Sequence, residues 1–139
     1  MPIEFHFRPD EKLVICMHVG TVNDDDFIAS YKGLFENDRF DSSLNLLVDL
    51  RQTDSSQRST DALQRFAFLA QTKYQNSSAH PKVAVVAPKA LSFGLARMAE
   101  AFSHTVPWDF TVFYSEADAL GWLGAPDNLL NDLDKDSHQ

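Results

Sequence analysis

The sequence predicts one α/β domain with a mixed, mostly parallel sheet. Its elements are expected in the order β-β-α-β-α-β-α-β-α, with the first strand antiparallel at an edge and helices on both faces. Two observations carry this. Val83, Ala84, Val85, Val86 and Ala87 form an unbroken apolar run, the pattern of a strand covered on both sides. Pro88 stops that run, because proline has no amide hydrogen for the ladder. Leu91, Leu95, Met98 and Phe102 then recur at helical spacing, the stripe of an amphipathic helix. A buried strand that turns directly into a helix is half of a βαβ unit. Sheets built this way place ligands near such turns.

Along the chain, Ile3, Phe5 and Phe7 alternate with Glu4, His6 and Arg8, which reads as a half-buried strand. Pro9-Asp10-Glu11-Lys12 is a turn cluster. Leu13 to Val19 forms a second strand with Leu13, Ile15, Met17 and Val19 on one face and Val14, Cys16 and His18 on the other. It is close enough to the first to pair as an antiparallel hairpin. Gly20 is expected to end it. Asn23 to Asp26 opens a helix, since these residues cap free amides and complement the positive helix end. Phe27, Tyr31, Leu34 and Phe35 make its buried stripe.

Leu44 to Leu50 is a third strand, and the polar stretch Arg51 to Ser59 is expected to be a loop. A helix carrying Leu63, Phe66, Ala67 and Ala70 on one face follows, and then the strand and helix already described. Phe110, Val112 and Tyr114 mark a last strand, Ser115 a helix cap and Gly124 a helix stop. Beyond Pro126 the stretch NLLNDLDKDSHQ is polar and is expected to fray. The domain is therefore drawn over residues 1–125, with a flexible tail over 126–139.

Composition narrows the partners. A chain of 139 residues with 44% hydrophobic content and eleven Phe can bury a sizeable core. The formal charge of −8 argues against nucleic acid and against an anionic membrane surface, both of which recruit Lys and Arg. One cysteine, Cys16, excludes an internal disulfide and cysteine-based zinc frameworks. The five histidines have no metal-ligand spacing, and no cofactor is expected. The start MPIEFHFRPDEK lacks the pattern of a secretion signal, and no apolar run approaches the roughly 20 residues of a membrane span. A cytoplasmic protein is expected.

The element order, VDL at Val48-Asp49-Leu50 and AVVAP at 84–88 resemble the STAS superfamily, named for sulfate transporters and the sporulation anti-sigma-factor antagonists. The chain is most similar to small bacterial STAS-like proteins of unassigned function. The stretches VGTVNDDDF (19–27), LNLLVDLR (44–51), KVAVVAPKALSFGLARMAEAF (82–102) and VFYSEADALGWLG (112–124) carry the likeness. The resemblance implies a non-enzymatic protein-interaction module, some related folds carrying lipids or other apolar ligands. In the antagonists a serine at the start of the helix after the VDL strand is phosphorylated. Ser55, Ser56 or Ser59 would stand in here, although the spacing after Leu50 is short and the family's glycine is missing.

Candidate chemistry gathers where the parallel strands end. Asp49 and Arg51 follow one strand and Lys89 another, while Ser92 and Phe93 lie in the first turn of the next helix, where free amides favour an anion. Arg97, about one turn on, adds charge or a stacking plane. These six residues are read as a site for a partner protein or a small apolar or acidic ligand. The bland alternative is that Ser92 caps a helix, Asp49 bonds loop amides and Arg97 is solvated. A reading from another class makes Ser92 the nucleophile of a small hydrolase or transferase, although Ala90 replaces the leading glycine of a nucleophile elbow. Cys16 and His18 lie on one face of a strand, too far apart for a thiolate pair, and read as a buried thiol and a core histidine. The aromatic excess near the carboxyl half, Trp108 and Phe113 included, suggests a self-association surface and a homodimer.

Overall fold

The computed structural model describes residues 2–137, with side chains to residue 133. The strands are β1 (Ile3–Arg8), β2 (Leu13–Thr21), β3 (Asn45–Asp54), β4 (Lys82–Val86) and β5 (Asp109–Phe113). The helices are α1 (Asp24–Glu36), α2 (Thr60–Tyr74), α3 (Ala90–Phe102), α4 (Glu116–Leu123) and α5 (Leu129–Ser137). The strands form one five-stranded sheet in the order β1-β2-β3-β4-β5. β1 pairs antiparallel with β2 at the edge, and every later pair is parallel. Pro9–Glu11 forms a short 3-10 turn between the first two strands, closed by Lys12 at φ 54°.

This order decides where the helices go. Each crossover from β2 onward steps in the same direction, so right-handed connections lay α1, α2 and α3 on one face. Strand alternation serves both faces. Val14, Cys16, Leu46, Val48, Val83 and Val85 join the core beneath α1–α3. Leu13, Ile15, Met17, Leu47, Ala84 and Val86 belong to the opposite core. That second face is covered by α4 and α5, the helices that follow the last strand. Val83 to Ala87 are each at most 3% exposed, as a strand flanked on both edges and covered on both faces requires.

The tail differs from expectation. Leu129, Leu130 and Leu133 are buried beside Leu13, Ile15 and Met17. The stretch reads as polar because its leucines are few, but they fall on one helical side and close an otherwise open sheet face. Residues 138–139 lie outside the described residues.

Two strands are also longer than expected. β2 continues through Gly20, which adopts φ 69°, to Thr21. β3 continues through Arg51-Gln52-Thr53-Asp54, read from its polarity as loop, because β2 offers a partner that far.

Candidate functional site

β4 pairs with β3 only as far as Asp49, whereas β2 accompanies β3 to Asp54 after a register shift between Met17 and Val19. The carboxyl end of the sheet is therefore stepped. Above the step, α3 begins at Ala90 and packs through small residues: Ser92, Ala96 and Ala99 are buried, while Leu91 is 54% exposed. The buried face thus falls one position after the expected Leu91–Phe102 stripe, and its small side chains leave space. Helical recurrence of Ser92, Ala96, Ala99 and Ser103 was the signal for it.

The result is a hollow of about 70 Å³ between the sheet and α1–α3. Its walls are largely apolar, with Phe27, Val48, Leu50, Leu63, Phe66, Val85, Leu95 and Phe110 among them. Polar groups interrupt them at His18, Tyr31, Thr53, Asp54, Ser55, Arg58 and Ser92. His18 Nε2 lies 2.8 Å from the Tyr31 hydroxyl. Burial and the Arg58 charge push His18 down to about 3, so the imidazole is neutral at ordinary pH. Burial pushes the Cys16 thiol up to about 12 against its hydrogen bond with Tyr31, which keeps the sulfur protonated.

Arg58, from the segment entering α2, lines the hollow. It donates to Asp24 at 2.8 Å and to the Val22 carbonyl at 3.1 Å, and its guanidinium lies 3.9 Å from the centre of the Phe27 ring. Burial acts to raise the Asp24 carboxyl, but the Ser59 hydroxyl and amide and Arg58 hold it below the usual range. Ser55 and Ser92 face each other with hydroxyls 2.8 Å apart. The Ser92 hydroxyl thus meets another hydroxyl rather than a base.

The six residues expected to form one site are divided. Asp49, 2% exposed, is gripped by Arg51 at 2.9 and 3.0 Å, and Arg51 reaches Glu116 of α4 at 3.3 Å. That pair lies on the α4 side of the sheet and ties strand to helix. Lys89 donates to the Thr53 carbonyl at 3.2 Å. Ser92 lines the hollow, and Phe93 stacks on Tyr114 at 3.8 Å. Arg97 turns outward and pairs with Glu100 at 3.1 Å. Strand-end position had grouped residues that alternation sends to opposite faces.

Of the candidate phosphorylation sites, Ser55 points to Ser92 and Ser56 is exposed. Ser59 caps α2 through the Ala62 amide and donates to Asp24 at 2.6 Å. Trp108, expected at a self-association surface, lies in the core. It is 6% exposed and packs against Phe66, Tyr74 and Phe110. Phe113 packs on Trp122 on the other face. Sequence reasoning missed His18, Tyr31 and Arg58 as lining residues because they come from separate elements. No helix among the described residues is long and apolar enough to cross a membrane, and no cluster of acidic, Cys and His residues among them is placed to hold a metal ion.

The SpoIIAA-like family profile matches residues 14–124, which span β2 to the end of α4. The chain belongs to the SpoIIAA-like family. A crystal structure of an uncharacterised protein from Shewanella loihica PV-4, described as having a SpoIIAA-like fold, superposes with a TM-score of 0.56. The two are 20% identical over 87% of this chain and 91% of that one, a likeness of fold. No curated protein matches. The STAS-like resemblance read from the VDL and AVVAP stretches is thus confirmed, and the hollow lies entirely within the SpoIIAA-like region.

Proposed function

We propose that this SpoIIAA-like domain is a non-enzymatic binding module. It recognises an apolar group, presented by a partner protein or carried by a small apolar or acidic ligand, at the carboxyl end of its parallel strands. The hollow carries the proposal: apolar walls, a few placed hydrogen-bonding groups and a position at the strand ends are the features of a recognition site. Its size limits the occupant. About 70 Å³ is under half of the roughly 150 Å³ that admits benzene, so a short alkyl group or one side-chain tip fits and a whole lipid does not. Phe93, next to Ser92 in α3, stacks on the exposed Tyr114 and adds apolar surface there. The hydroxyl–hydroxyl contact at Ser92 supports binding over hydrolysis, because a nucleophilic serine needs a base in hydrogen-bond reach.

An amide NMR titration with butanol and butyrate tests this. Shifts are expected at Leu50, Val85, Ser92 and Ala96, and the filled variant Ala96→Leu is expected to lose them. Shifts that persist in the filled variant, or that map elsewhere, end the proposal. Native mass spectrometry of freshly purified protein reports whether a small molecule is already retained and whether the chain is a homodimer.

A further inference from the structure

The outer side of α1 and α2 carries a second surface, separate from the hollow. Ile28 and Lys32 of α1 and Gln64, Arg65, Phe68 and Leu69 of α2 line a groove of about 440 Å³. Phe68 in its wall is 73% exposed, the most exposed large apolar side chain among those described. The spacings Ile28–Lys32 and Gln64–Arg65–Phe68–Leu69 put one edge of each helix along the groove.

Charge identifies the occupant. The groove lining holds two cations, Lys32 and Arg65, and no carboxylate, on a chain with 20 acidic residues against 12 Lys and Arg. Lys32 and Arg65 make no ion pair among the described residues, although Glu36 and Asp61 lie one helical turn away on the same helices. Two cations without an ion pair therefore stand beside an exposed ring on a domain of charge −8. Aromatic and arginine side chains at the centre of a groove are the usual anchors of protein recognition.

We propose that the α1–α2 groove docks an acidic amphipathic helix of a partner protein. Its apolar side chains cover Phe68, Ile28 and Leu69, and its carboxylates meet Lys32 and Arg65. A groove between two helix edges suits a third helix presenting anchors at one-turn intervals. A basic or nucleic-acid-like partner is disfavoured by Lys32 and Arg65 in the first case and by the overall charge in the second.

The probe is a labelled synthetic amphipathic helix with leucine on one face and glutamate on its flanks, paired with a copy carrying lysine for glutamate. Fluorescence anisotropy against the full chain is expected to show binding of the glutamate peptide only, weakening as salt is raised. Phe68→Ala is expected to weaken it about tenfold. The pair Lys32→Glu with Arg65→Glu is expected to transfer binding to the lysine peptide, with unchanged circular dichroism because both residues are exposed. Ala96→Leu, which fills the hollow, is expected to bind the peptide normally, so failure here is distinguishable from failure of the hollow. Equal binding of both peptides, or no loss in Phe68→Ala, overturns the proposal. So does a wild-type dimer that Phe68→Ala converts to monomer, or binding to phosphatidylserine vesicles that Phe68→Ala abolishes.

Discussion

The hydroxyls of Ser55 and Ser92 stand 2.8 Å apart, joining the end of β3 to the first turn of α3 across the mouth of the hollow. Ser92 is 2% exposed, so its hydroxyl has given up water for this one partner. Ser92→Ala should cost about 1 kcal/mol, since it leaves Ser55 unpaired. Ser55→Ala with Ser92→Ala should cost less than the sum of the single changes, because neither hydroxyl is then stranded. Denaturant unfolding of the four proteins checks this, and strictly additive losses would exclude the pairing.

Stability should fall as the solution is acidified from pH 6.5, because of His18. Its folded value, about 3, lies below the ordinary 6.5, so between those limits the unfolded chain holds a proton that the folded chain does not. The contribution is fully present above pH 6.5 and declines by at most about 1.4 kcal/mol per pH unit as pH drops through the window. His18→Gln keeps a hydrogen-bonding group near Tyr31 without titrating, and should flatten the slope between pH 5 and pH 6.5. An unchanged slope would place the titration in other groups.

Arg58 joins the starts of α1 and α2. Its side chain is 8% exposed, and it bonds both Asp24 and the Val22 carbonyl. Arg58→Met keeps the packing over Phe27 but removes the donor to the Val22 carbonyl and leaves Asp24 to Ser59 alone, and should cost about 2 kcal/mol. Asp24→Asn, which keeps an acceptor, should cost less. Thermal melts of both variants test the order, and a reversed order would show that Asp24 acts mainly through Ser59.

Leu130 is fully buried between α5 and the sheet. Leu130→Ala should cost about 3 kcal/mol, comparable to other core leucines. Deleting residues 127–139 should cost more, since Leu129 and Leu133 are removed as well. A truncated chain that melts like the intact one would return this segment to the status of a tail.

Exposed apolar side chains are expected to behave oppositely. Leu91→Ser and Tyr114→Ser should change stability by about 0.5 kcal/mol or less, since both side chains are more than half exposed.

Much of the fold could be read from residues 83–102, because a short, largely β-branched apolar run stopped by Pro88 fits a strand covered on both faces, and helical spacing after it fits a packed helix. The caps at Asn23 and Ser115 were legible from local chemistry, each side chain accepting from an amide three residues on, whereas Ser59, read as loop, caps α2 in the same way. The strand extension at Arg51–Asp54 was not legible, because its polar residues stay paired only through β2, a partner remote in sequence. The helical leucines of 129–133 were hidden in the same way, their burial depending on an uncovered sheet face that no local pattern announces.

By itself the sequence determined the element order as far as α4, the parallel core, the starts of α1 and α4 and the acidic character of the chain, since periodicity, capping and charge are properties of neighbouring residues. Only the tertiary structure decided which residues share a site. Alternation sent Asp49 and Arg51 to the α4 side. It brought His18, Tyr31, Arg58 and Ser92 together from four distant segments around a hollow. The physical reason is that a sheet has two faces and a helix one buried stripe, so proximity along the chain end of a strand does not fix the side on which a side chain emerges.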